Sequence, residues 1–177
     1  MERLILGGGC FWCLEAVFER GRGVQAVTSG YCGGAAEEAG YRQVCSGATR
    51  HAEVVAVDFD PAQIAAETLL RIFFSIHDPT TVDRQGNDVG PQYRSVIFTL
   101  SPTQEEMARQ VLEGLQNEGW WSEPVVTEIL AAPPFYPAED YHQHYFRNNP
   151  DQGYCAFIVA PKVAKARAGF SGLFREE

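Results

Sequence analysis

Thiols and carboxylates are the groups in this sequence whose placement could support chemistry. Cys10 follows Gly7-Gly8-Gly9, and Phe11, Leu14, Val17 and Phe18 fall at helical spacing, so the thiol opens a helix expected over Cys10 to Arg20. Unpaired amides and the positive end of the helix dipole stabilise a thiolate at such a position, which makes Cys10 a candidate nucleophile. Cys13 completes a Cys-Phe-Trp-Cys spacing suited to redox or metal chemistry. Cys32, Cys45 and Cys155 bring the cysteines to five. In a reducing compartment an odd, uneven set is not a disulfide framework. Structural zinc would need Cys32 and Cys45 beside Cys10 and Cys13, without a second C-x-x-C to support it. Phe11 and Trp12, between the two thiols, are adjacent in sequence and cannot share one narrow helix face, so one of them can line a pocket beside Cys10.

The remaining candidates sit on elements that must be brought to the helix start. Glu53 lies in Ala52 to Phe59, a strand by its alternation, on the same face as Val55, Val57 and Phe59. A carboxylate there is either at a wet strand end or a desolvated acid with a raised pKa, fit to donate a proton at neutral pH. Other expected strands are Arg3 to Gly8, Val24 to Tyr31, Tyr93 to Leu100, Val125 to Leu130 and Tyr154 to Val159. Helices are expected over Ile64 to Ile76, over Asp140 to Arg147, and after Ser101-Pro102-Thr103-Gln104, which joins an N-cap, a first-turn proline and a capping-box partner. Residues 32–51 and 78–92 read as long loops, usual places for function in a compact domain. The first half therefore runs β-α-β-β-α-β, the order of a ferredoxin-like split unit and an α+β fold. His142 and His144, two residues apart, do not share a helix face as a metal pair.

Composition narrows the function classes. The chain has 177 residues, 45% hydrophobic and 21% charged, enough for one cored domain. A net charge of -9 argues against nonspecific binding to nucleic acid or to anionic membranes. The apolar stretch Leu4 to Leu6 is too short for a secretory signal. Leu69 to Ile76, interrupted by Arg71, is too short to span a bilayer, so the expected compartment is the cytoplasm.

Taken in one register, a series of segments resembles the A-type peptide methionine sulfoxide reductases. They are Gly9-Cys10-Phe11-Trp12 with Glu15, Gly30-Tyr31, Tyr41-Arg42-Gln43-Val44-Cys45-Ser46-Gly47, His51-Ala52-Glu53, His77-Asp78-Pro79, Gln85-Gly86-Asn87-Asp88, Gln92-Tyr93-Arg94-Ser95 and Ala138-Glu139-Asp140-Tyr141-His142-Gln143. The likeness runs from about Leu6 to Cys155. It implies a ferredoxin-like α/β plait core with long functional loops and a C-terminal extension, one domain over 1–177 with 155–177 as its tail.

The resemblance also implies roles. Cys10 would attack the sulfoxide sulfur, Phe11 and Trp12 would hold the substrate methyl group, and Glu53 would protonate the sulfoxide oxygen. Tyr41, Tyr93 and Asp88 would form the polar side of the pocket. The sulfenic acid left on Cys10 would condense with a second thiol. Cys155 is preferred for this step, on the exposure and mobility expected near a terminus, and Cys13 is the local alternative. Thioredoxin or another dithiol would recycle the disulfide, with no metal or organic cofactor, and the enzyme would act on the S epimer, free or in proteins. Apart from the resemblance, a monomer is the default expectation, because nothing in the sequence marks an interface. Cys13, Arg50 and Pro91 depart from the common pattern, and Arg50 would lower the pKa of Glu53 if it faced it.

Overall fold

The computed structural model describes residues 1–176. Its strands are β1 (Glu2–Gly7), β2 (Val24–Cys32), β3 (Ala52–Phe59), β4 (Arg84–Gln85), β5 (Asp88–Val89), β6 (Val96–Thr99), β7 (Glu128–Ala131) and β8 (Phe135–Pro137). The helices are α1 (Phe11–Phe18), α2 (Tyr41–Cys45), α3 (Ala66–Ser75), α4 (Pro102–Asn117), α5 (Tyr145–Asn148) and α6 (Ala160–Gly169). Six strands form one sheet in the order β7-β6-β1-β3-β2-β8, while β4 and β5 make a separate small hairpin. Every pair in the large sheet is antiparallel except β6 with β7. The fold is thus mixed α and β.

Alternation along the strands sorts side chains onto two faces. Leu4, Leu6, Val55, Val57 and Phe59 face the main core with Leu14, Val17 and Phe18 of α1 and Leu69, Leu70 and Phe73 of α3. Ile5, Val54, Ala56, Val96 and Phe98 face a smaller core closed by Ala132 and Phe135. Burying each such side chain contributes about 1.5–3 kcal/mol. Because both faces are covered, β3 is buried along almost its whole length. Helix α1 has seven of its eight residues buried, including Glu15, so it is enclosed rather than laid on the surface.

Local sequence signals set several boundaries. Ser101 caps α4, its hydroxyl accepting from the Gln104 amide at 3.1 Å, and the Gln104 side chain accepts from the Leu100 amide at 2.9 Å. That return bond reaches one residue further back than a capping box requires. Among the described residues, no helix is long and apolar enough to cross a membrane.

Four expectations need correction. Tyr154 to Val159 is not a strand: Cys155–Val159 forms a π-helical turn that runs into α6. Cys155 and Val159, four apart, are buried while Phe157 is 80% exposed, so the apolar run has one buried side at helical spacing. Cys155 is itself 0% exposed, which removes the exposure argument for it. The Asp140 to Arg147 helix is two short turns, Asp140–His142 and α5, broken at His144 with φ 55°. The loop over 32–51 contains a turn at Ala36–Glu38 and helix α2. Beyond α6, the Arg22 amide donates to the Leu173 carbonyl at 2.8 Å and the Arg175 amide to the Arg20 carbonyl at 2.7 Å, closing the C-terminal segment onto the end of α1.

Candidate active site

The glycine turn before α1 is built for close approach. Gly9 has φ +89°, and a Cβ there would stand 2.8 Å from Cγ of Gln85. Gln85 is fixed in turn by Asp78, whose amide donates to its side-chain oxygen at 2.9 Å. His77, next in the chain, is buried against Gly8, bonds the Phe73 carbonyl at 2.6 Å and the Ser95 hydroxyl at 2.7 Å, and is pushed down to about 4 by burial, so it is a neutral strut. Cys10 follows as the N-cap of α1.

The thiol at this position is not the stabilised thiolate that a helix start suggests. The Trp12 amide does favour the thiolate, as the helix end should, but burial and then the nearby Glu53 carboxylate outweigh it and hold Cys10 well above its ordinary value. Glu53 is 1% exposed and its Oε1 accepts from the Phe11 amide at 3.1 Å. Burial, opposed by that bond and aided by Asp88, pushes Glu53 up to about 8. Glu53 is therefore buried within the strand and not at a wet strand end. Arg50 is exposed and is not among the groups acting on Glu53. Its backbone carbonyl instead accepts from Arg94 at 2.8 Å.

Two phenols approach from separate elements. Tyr41 opens α2, and Tyr93 ends the turn Pro91–Tyr93. Both are pushed up chiefly by burial, with Glu53, Cys10 and Cys45 close enough to add to the effect. Cys45, one helical turn after Tyr41, is raised by its burial, while the nearby Tyr41 and Tyr93 hydroxyls favour its thiolate. Asp88 accepts from the Tyr154 hydroxyl at 2.7 Å, and that hydroxyl stands 3.9 Å from Cys13 Sγ.

The opposite wall is aromatic. Trp12 stacks on Tyr145 at 3.8 Å between centroids and 7° between planes, meets the edge of Tyr154, and donates from its indole to Nδ1 of His142 at 3.0 Å. Trp12 is half-buried, whereas Phe11 is 0% exposed behind it, against Tyr31 and His142. Cys10, Phe11, Trp12, Tyr41, Glu53, Asp88 and Tyr93 thus converge, five elements meeting at the start of α1.

The family model described as "Peptide methionine sulfoxide reductase" matches residues 2–171. The chain belongs to the peptide methionine sulfoxide reductases. It is 56% identical over 173 residues to the peptide methionine sulfoxide reductase MsrA of Polynucleobacter asymbioticus, covering 98% of this chain and 91% of the other. Among solved structures it is similar to reduced Mxr1 of Saccharomyces cerevisiae, with a TM-score of 0.82, 34% identity and coverage of 87% and 88% of the two chains. It is also similar to Mxr1 in complex with Trx2, with a TM-score of 0.58, 27% identity and coverage of 81% and 84%.

Within this peptide methionine sulfoxide reductase chain the other cysteines and histidines separate. Cys32 lies in the core on the far face of the sheet, bonded to the Pro133 carbonyl at 3.5 Å, so the four-cysteine zinc set is not brought together. His144 pairs with Glu19 at 2.8 Å, beside Glu15. Arg20 and Arg147 also reach Glu19, so the cluster is an ion-pair network already supplied with cations. Cys45, His142, Tyr145 and Tyr154 also border the site, without a role in sulfoxide chemistry expected from the sequence. The aromatic residues of 141–154 were visible, but only the folding of that segment back onto α1 aims them at Trp12.

Proposed function

We propose that this chain reduces the S epimer of methionine sulfoxide, free and in proteins, to methionine, with Cys10 as nucleophile and Glu53 as proton donor. One observation carries the assignment of residues. A carboxyl with a pKa near 8 lies behind the N-cap thiol, hydrogen-bonded to the very next amide. At neutral pH it is protonated, as a sulfoxide oxygen requires of its donor. Tyr41 and Tyr93 add hydroxyl donors to that oxygen in a water-poor pocket, and Asp88 supports them and raises Glu53. Trp12 forms the wall for the substrate methyl group, with Phe11 as its backing.

In the first step the sulfur of Cys10 bonds to the sulfoxide sulfur as Glu53 protonates the oxygen, and the thiol proton passes to the Glu53 carboxylate. The hydroxyl then shifts to the Cys10 sulfur as the substrate S–O bond and the new S–S bond break. Net, sulfoxide and thiol become sulfide and sulfenic acid. The substrate sulfur gains the two electrons that Cys10 loses, and the oxygen ends on Cys10. A second thiol, Cys155 or Cys13, then forms the disulfide with loss of water. An external dithiol, thioredoxin by analogy with the Mxr1–Trx2 complex, restores both thiols by exchange. No metal or organic cofactor enters these steps. A cleft of about 1160 Å³, lined by Trp120, Trp121 and Lys162 and bounded by Asp88 and Tyr154, offers room for the polypeptide around an oxidised methionine.

We read the antiparallel strands β6-β1-β3-β2, with α1 and α3 as crossovers, as a ferredoxin-like plait within one domain, residues 155–177 being its tail. A cytoplasmic monomer is the proposed form. The functional test uses prereduced protein, one epimer of a blocked methionine sulfoxide and no recycling reductant. Two thiols should be lost per methionine formed, and Cys10→Ser should form none. Undiminished product from Cys10→Ser would sink the mechanism.

A further inference from the structure

We propose that Glu139 is a positioning residue for the reaction, one carboxylate that anchors Tyr41 and thereby sets the phenol wall of the pocket. The need arises from α2 itself. It is five residues long, too short to hold its own shape, and its N-cap, Gly40, has no side chain to satisfy the first amides. Glu139 supplies that cap from nearly a hundred residues away in the sequence, its Oε2 accepting from the Tyr41 amide at 3.0 Å. Its Oε1 accepts from the Tyr31 hydroxyl at 2.8 Å.

Tyr31 makes a firm reference point. It is 0% exposed, its ring lies 5.7 Å from that of Phe11, and on the sheet it stands in register with Glu53. Through Glu139, Tyr41 is therefore fixed to the strand pair that carries the acid. Glu139 also stands at the start of the turn Asp140–His142, where its backbone carbonyl, not its carboxylate, accepts from the His142 amide at 3.0 Å, and His142 takes the Trp12 indole hydrogen bond. The carboxylate thus holds Tyr41 of the phenol wall, and the aromatic wall meets the same residue only through its backbone; Glu139 itself touches no reacting atom. Burial pushes Glu139 up, but the amides of its own residue and of Tyr41, with the Tyr31 hydroxyl, hold it below its ordinary value, so both oxygens accept at neutral pH.

The proposal rests on the sulfoxide reductase reading and on Tyr41 as a donor, so its test has one arm that needs no turnover. Glu139→Gln keeps the size of the side chain but removes the charge that strengthens its bond to the Tyr41 amide, and should fold with a melting temperature close to the parent. Its kcat for a blocked methionine sulfoxide should fall roughly ten-fold, a part of what losing an oriented donor costs. In a Tyr41→Phe background the same change should cost less than about two-fold, because the group it positions has gone. Losses that multiply across the two sites would overturn the proposal. Independently, the Tyr41 amide should exchange with deuterium faster in Glu139→Gln, and an unchanged rate there would also overturn it. Failure of the parent protein to reduce any sulfoxide would count against the functional reading alone, since the exchange measurement still judges the anchor.

Discussion

At the residue scale the site turns on a pair whose two pKa values are both raised, so that each group holds its proton at neutral pH. Glu53 near 8 is mostly protonated at pH 7, and Cys10 is a thiol at rest. Turnover should therefore fall as pH rises through about 8, where the proposed proton donor is lost. A carboxyl raised in the fold is a liability above its unfolded value. The unfolded chain ionises near 4.5 while the fold resists until about 8, so this contribution is fully present below 4.5 and is lost as pH climbs across that window. Glu53→Gln, which can still accept from the Phe11 amide, should abolish most turnover yet melt higher than the parent at pH 8, by an amount worth about 3–5 kcal/mol. It should also shift alkylation of Cys10 by iodoacetamide to lower pH, because the nearby negative charge has gone. A parent-like alkylation profile would show that Glu53 does not act on the thiol. The placement of both groups was legible in the sequence: alternation put Glu53 on the core face, and the glycines put Cys10 at a helix start. The direction of the thiol shift was not legible, because the helix end is a local effect and burial is a property of the whole fold.

At the element scale the geometry is held by turns and short helices rather than by the long ones. The strand over Ala52–Phe59 has the bounds its alternation gives, since a buried strand between two cores writes both faces into the sequence. Helix α4 begins where its cap predicts, because capping depends only on neighbours. By contrast α2, α5 and the turn Cys155–Val159 carry little periodic signal and owe their shape to tertiary anchors. The turn before Cys10 shows how much depends on such contacts. Gly9 combines a positive φ with a Cβ position already taken by Gln85, so Gly9→Ala should destabilise the fold by about 1–3 kcal/mol. Because Gln85 would be pushed away from Asp78, the same substitution should lower kcat at temperatures where the variant is fully folded. Chemical denaturation and kinetics on one preparation would separate the two effects, and wild-type kcat in the folded variant would show that the turn supports stability alone.

At the scale of the whole molecule, the resolving step raises the question of how a buried thiol reaches Cys10. Cys155 is 0% exposed within a helical segment that packs on α1, tied to the site by the Tyr154–Asp88 bond and at its far end by the Arg22–Leu173 bond. Cys13 is a fixed neighbour, one turn along α1, its amide donating to the Cys10 carbonyl at 3.1 Å. If Cys155 resolves, we expect the Tyr154–Asp88 bond to break and the segment to loosen from α1 each cycle, an opening of the kind that low-stability segments allow. Oxidation would then be visible far from the sulfurs. After one turnover without reductant, trypsin should cut after Lys162 and Lys165 faster than in the reduced protein, and Cys155→Ser should abolish both that change and the second thiol loss. Cys13→Ser should keep both. The reverse pattern, with cleavage unchanged on oxidation and the second thiol lost only when Cys13 is present, would assign the disulfide to α1 and leave the C-terminal segment closed throughout the cycle.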